Sequence, residues 1–156
     1  MALDILSSAV TAGATFPARY TCEGADISPP LEWRGVPSEA QSLAIIFDDP
    51  DAPRGVWCHW VLYDIPADRD GLSEGFAAKT RDPQRDGTQG RNDFGVLGYG
   101  GPCPPVGSEH RYYFRLFALD EKLDLPPGAN RQQLMERMEG HIVARAELMS
   151  RYARQP

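Results

Sequence analysis

The chain has 156 residues, enough for one domain with a real hydrophobic core. Hydrophobic residues make up 42% and charged residues 24%, while Gly 15 and Pro 14 argue for many turns, few long helices and hence a β-rich fold. The formal net charge is -6 and no run of Lys or Arg stands out, which speaks against a nucleic-acid footprint and against polybasic attraction to a membrane.

No apolar stretch approaches the length of a membrane span, and the first residues lack the basic start of a signal peptide. Cys22, Cys58 and Cys103 are odd in number and loosely spaced. They do not read as a disulfide framework, so the expectation is a reduced, cytoplasmic protein.

Residues 2–7 suggest a short first strand. Phe16 to Thr21 suggests another extended piece, and Leu31 to Trp33 a short strand stopped by Gly35 and Pro37. Ser42 to Phe47 is the first strong strand. Leu43, Ile45 and Phe47 share a face, and continuing the period of two puts Asp49 on it. Pro50 and Pro53 then stop the ladder, because each lacks an N–H.

Val56 to Ile65 predicts a central strand, apolar on both sides. Strict alternation puts Trp57, His59, Val61, Tyr63 and Ile65 on one face and Cys58, Trp60, Leu62 and Asp64 on the other. Residues 66–109 hold no long element and read as an ordered loop region. In the strand His110 to Leu119, His110, Tyr112, Phe114, Leu116 and Ala118 share a face. Asn130 caps a short helix over about 131–139 that Gly140 ends. His141 to Tyr152 suits a helix by propensity and a strand by alternation.

The residues able to do chemistry fall at strand ends. If the strands bearing His59 and His110 adjoin, both imidazoles and Asp49 converge at one end of a sheet, where carboxylates and histidines shift each other's protonation. Each piece alone has a plainer reading. Asp49-Pro50-Asp51 is most often a turn, a histidine on an apolar strand is more often core than ligand, and Trp57 and Tyr112 more often pack than recognise.

Nucleophile-elbow, phosphate-loop and paired zinc-histidine signatures are missing. Cys103 near His110 is a nucleophile–base pair on paper only. A metal site from Asp49, Asp51, His59 and His110 is a minority reading.

Taken in order, Asp49-Pro50-Asp51-Ala52-Pro53, Trp57-Cys58-His59-Trp60, Gly100-Gly101-Pro102-Cys103-Pro104-Pro105 and His110-Arg111-Tyr112 resemble the phosphatidylethanolamine-binding protein family, also called the Raf kinase inhibitor protein family, in its bacterial and archaeal branch. Ser28-Pro29-Pro30-Leu31-x-Trp33 and the segment from Gly140 to Leu148 fit as well, so the resemblance spans nearly the whole chain.

It implies a mainly β fold: an antiparallel β-sandwich with a large central sheet and one or two short helices, one domain over 1–156. It also implies that His141 to Tyr152 is a strand. The implied ligand-binding set is Asp49, Asp51, Trp57, His59, Gly101, Pro105, His110 and Tyr112, with no metal and no cofactor. The implied ligand is a small anion such as phosphate or a phospholipid head group. A kinase or protease inhibited through the pocket edge is the implied protein partner. Nucleic acid and an integral membrane segment are not expected, and exposed apolar strand faces leave room for a homodimer. A hydrolytic enzyme using the Asp/His cluster is the alternative from another class.

Overall fold

The apolar runs become the inner strands of two facing antiparallel sheets. The computed structural model describes residues 2–80 and 82–156. The smaller sheet joins β1 (Asp4–Leu6), β2 (Leu31–Arg34) and β5 (Gly71–Leu72) in the order β1-β2-β5. The larger joins β3 (Ser42–Asp49), β4 (Trp57–Pro66), β6 (Thr88–Gln89), β7 (Glu109–Leu119) and β8 (Ile142–Ala153) in the order β6-β4-β3-β7-β8. Every ladder is antiparallel. Among the described residues the α-helices are α1 (Pro83–Asp86) and α2 (Arg131–Met138), and no helix is long and apolar enough to cross a membrane.

Strand β3 is central because both its faces are apolar. Leu43, Ile45 and Phe47 point between the sheets, where they meet Ile5, Phe16, Leu31, Trp33, Phe114 and Leu116. Ala44 and Ile46 point to the outer side, under Leu134 and Met138 of α2. Burying a large apolar side chain stabilises the fold by about 1.5–3 kcal/mol, and all five of these β3 side chains have no exposed surface. Helix α2 starts as its sequence dictates. The Asn130 side chain accepts from Gln133 N at 2.8 Å, and the Gln133 side chain accepts from Asn130 N at 2.9 Å, a reciprocal cap.

Three expectations are corrected. Phe16 to Thr21 is not extended throughout: Pro17 supplies a fixed φ of -64°, and Ala18–Tyr20 closes into a 3₁₀ turn with Tyr20 N donating to Pro17 O. The faces of β4 do not follow strict alternation. Phe47 pairs with Trp60 and Asp48 with Cys58, so His59 is an extra residue in the ladder, and a second irregularity lies between Leu43 and Ile45. Asp64, at that second position, has a φ of 53°. As a result Trp60, Leu62 and Ile65 face the space between the sheets, and Cys58, Val61 and Tyr63 face the other way. The third correction concerns the thiols: Cys22 and Cys103 form a disulfide across 81 residues, and only Cys58 is free. Sequence spacing carries no trace of this pairing, because long loops bring the two residues together.

Candidate functional site

Antiparallel pairing sets the end of β3 beside the starts of β4 and β7, and the chemically active residues meet there. Asp49 continues the inward face of β3 and is buried, as are His59 and His110. His110 Nδ1 donates to Asp49 Oδ2 at 2.7 Å. Asp49 Oδ1 accepts from Asp51 N at 2.8 Å, so one carboxylate both folds the turn and orients the imidazole. Burial first, with the nearby Asp49 carboxylate, raises the Tyr112 pKa well above the ordinary tyrosine value.

His59 is aimed at the same place by the bulge in β4. Its ring lies 5.6 Å from Phe47 and 5.5 Å from Tyr112. It does not bond Asp49. Its Nδ1 donates to the Gly100 carbonyl at 2.6 Å, while Gly100 N donates back to His59 O. Burial lowers the His59 pKa, opposed by the Gly100 carbonyl and the Asp49 charge. Among the described residues the side-chain hydrogen bonds of the His59 and His110 rings run through Nδ1, and no buried side-chain nitrogen or oxygen lacks a partner, so neither Nε2 is fully sealed from solvent.

The loop over 92–105 forms the wall opposite the strands. Buried Asn92 builds it: its Oδ1 accepts from Phe94 N and Val96 N, and its Nδ2 donates to His59 O and Gly98 O. Phe94 is thereby held at the mouth, 5.3 Å from His59 and 5.4 Å from Trp57. Gly101 packs where only glycine fits. A Cβ there would lie 2.2 Å from Tyr20 O, and its N–H donates to Asp26 Oδ1 at 2.8 Å.

Two acidic residues would normally repel an anion, yet both are engaged. Arg111 grips Asp51 from Nε at 2.9 Å and Nη2 at 2.8 Å, and the Arg111 backbone N–H adds a third bond. The guanidinium holds the Asp51 carboxyl at about 2 against a partial burial that acts the other way. Asp49 is occupied by His110 and the Asp51 backbone.

Of the residues expected from the sequence, Asp49, His59, His110 and Tyr112 cluster directly. Asp51 supports them through Arg111 and the shared turn. Trp57 stands partly exposed at the mouth beside Phe94, and Gly101 lies in the opposite wall. Pro105 is exposed and starts a turn in which Ser108 N donates to its carbonyl, whereas Pro104 is buried and its carbonyl accepts from Arg154 Nε. Sequence reasoning missed Arg111, Phe94, Asn92 and the backbone of Gly100. Asn92-Asp93-Phe94-Gly95 carried a turn signal, but nothing local tied it to β4. Cys103 is committed to its disulfide and is no nucleophile in that state. Among the described residues no group of three or more His, Cys, Asp or Glu side chains is placed to hold a metal ion.

A two-sheet β-sandwich with a histidine–aspartate cluster at one end of its larger sheet, walled by a glycine-rich loop, defines the class of protein. The sequence profile of the phosphatidylethanolamine-binding protein family matches residues 6–153, and the chain belongs to that family. Among curated relatives, a UPF0098 protein of Methanothermobacter thermautotrophicus is 58% identical over 139 residues, covering 88% of this chain and 90% of the relative. One from Aquifex aeolicus is 46% identical, covering 97% and 89%. Among solved structures, a putative phosphatidylethanolamine-binding protein homolog, CT736 from Chlamydia trachomatis, superposes with a TM-score of 0.89 at 41% identity and covers 98% of each chain. E. coli YbcL, described as a member of the mammalian PEBP family, gives a TM-score of 0.90 at 32% identity, covering 98% of this chain and 99% of its own.

Proposed function

We propose that this protein binds a small anion, phosphate or a phosphoethanolamine-like head group, at the His59–His110 end of the sandwich. The observation that carries the reading is the His110–Asp49 pair, with a second imidazole beside it and neither Nε2 fully sealed from solvent. An imidazole whose Nδ1–H is held by an acceptor presents Nε2 to a ligand. When protonated it is a charged donor, which suits a phosphate oxygen. The nearby carboxylates do not oppose this, because Arg111 and His110 compensate them. Binding by these groups requires no positioned nucleophile, which favours a binding module over a hydrolase. Calorimetric titration with inorganic phosphate at about pH 5.5 and about pH 8 tests it. Affinity should rise at the lower pH and be lost in His110→Ala. Equal affinity at both pH values, or an unaffected variant, would overturn the reading.

A protein partner is the second reading, and the exposed apolar residues Trp57 and Phe94 at the mouth favour it. Modulation of a kinase or protease through this edge predicts that Trp57→Ala weakens partner capture.

A further inference from the structure

The disulfide Cys22–Cys103 joins two irregular segments behind the site, Thr21 to Asp26 and Gly98 to Pro105. Both cysteines are exposed at the surface. Cys58, the third, is buried on the outer side of the sheet, and burial pushes its thiol up to about 12. It is therefore inert towards the pair, which exchanges only with thiols arriving from outside.

Two hydrogen bonds also join the segments, and a third ties the loop to the neighbouring Tyr20. Cys22 N donates to Pro102 O at 3.2 Å, the Tyr99 hydroxyl to Tyr20 O at 2.6 Å, and Gly101 N to Asp26 Oδ1 at 2.8 Å. No ladder runs between them. Close to the bridge in sequence is Gly100, whose carbonyl accepts the hydrogen bond from His59 Nδ1–H. The covalent tether and the group that orients a site imidazole thus share one loop. Neither bridging cysteine belongs to the sandwich core around Phe16, Phe47 and Phe114, and the loop meets that core through Tyr99, which stacks on Phe47 at 5.7 Å.

We infer that Cys22–Cys103 is a redox latch on the site. An external dithiol reductant opens it, the Gly98–Pro105 loop loosens, and His59 loses its fixed Gly100 partner, so anion affinity falls. This rests on the anion-binding reading above. In the exchange, a thiolate of the reductant attacks one bridge sulfur. A mixed disulfide forms, and the other cysteine leaves as a thiolate that takes up a proton. The second thiol of the reductant then attacks its own sulfur in the mixed disulfide. The reductant departs as a disulfide and the remaining cysteine becomes a thiol. Two electrons and two protons enter the protein, and none of the sheet ladders has to break.

The test compares the oxidised chain, the dithiothreitol-reduced chain and the Cys22→Ser/Cys103→Ser variant. Each is titrated with inorganic phosphate, the His59 ring is followed by ¹⁵N NMR, and amide exchange is measured at Gly100 and Gly101. Reduction is verified by alkylation at Cys22 and Cys103 with Cys58 unlabelled. Affinity should fall by about tenfold or more in both reduced forms, the His59 Nδ1–H signal should be lost, and exchange at the two glycines should accelerate. Unchanged phosphate affinity on reduction overturns the latch. If the oxidised chain binds no phosphate, the anion reading fails separately. An Nδ1–H signal and glycine protection that survive reduction then overturn the latch on their own, and their loss supports it.

Discussion

His110 Nδ1 sits 2.7 Å from Asp49 Oδ2, with 8% and 5% of the two side chains exposed. Asp49 also receives Asp51 N, so its removal strands both donors. Each buried group left unsatisfied costs about 1–3 kcal/mol. Asp49→Ala should therefore destabilise the protein by about 3 kcal/mol or more, read from urea denaturation. Asp49→Asn, which keeps an acceptor, should lose less stability than Asp49→Ala.

The burial-lowered pKa of His59 gives a signed prediction. In the folded protein its ring stays neutral at pH values where an unfolded chain, near about 6.5, is already half protonated. The unfolded state then binds more protons, so this residue's contribution to stability is present above the unfolded pKa and is lost as pH falls through the folded value. A ¹⁵N NMR titration should show Nδ1 protonated throughout, with the ring titrating below its ordinary range. A midpoint above that range would contradict the assignment.

Asp51 provides a second titration with the same sign. Its carboxyl is held at about 2 from an ordinary value of 3.8, by Arg111 first. The stabilisation from this pair is present above the unfolded pKa and is lost as pH falls through about 2. Asp51→Asn should lose this stability at neutral pH and show little difference from the parent chain in strong acid, by chemical denaturation at each pH.

Neighbouring glycines should respond unequally to the same substitution. A Cβ on Gly101 meets backbone, Tyr20 O at 2.2 Å and the Thr21 Cα at 2.9 Å, which cannot swing aside. A Cβ on Gly100 meets the Phe94 ring at 2.6 Å, an exposed side chain able to turn away. Gly101→Ala should cost about 1–3 kcal/mol and Gly100→Ala less than about 1 kcal/mol. Gly100→Ala should instead change the environment of Trp57, which fluorescence can follow through its contact with Phe94.

Much of this was legible where the backbone is regular. Alternation alone assigned Asp49 to the Leu43–Ile45–Phe47 face and His110 and Tyr112 to the Phe114–Leu116 face, because β3 and β7 pair without interruption over those residues. It failed in β4, where Val61 and Tyr63 turn away from His59, because a bulge is a property of two strands together and leaves no mark in one. The convergence of His59, His110 and Asp49 was expected from adjoining β4 and β7, but β3 lies between those strands, so Asp49 at its end stands between the imidazoles; the partner of Asp49 is His110, and His59 is fixed by a carbonyl 41 residues away in sequence. Side-chain periodicity carries no information about a backbone acceptor in a distant loop. The disulfide was illegible for the same reason, and with it goes the inference that the odd cysteine count implied a reduced chain.

The extra residue in β4 has a consequence for how this protein tolerates change. His59 is the position that Phe47–Trp60 and Asp48–Cys58 pairing skips. A chain shortened by that one residue would close the ladder into uninterrupted register and gain sheet regularity. It would also delete the imidazole opposite Gly100. The bulge and the imidazole are therefore one feature of the chain, and a deletion that smooths the sheet removes both.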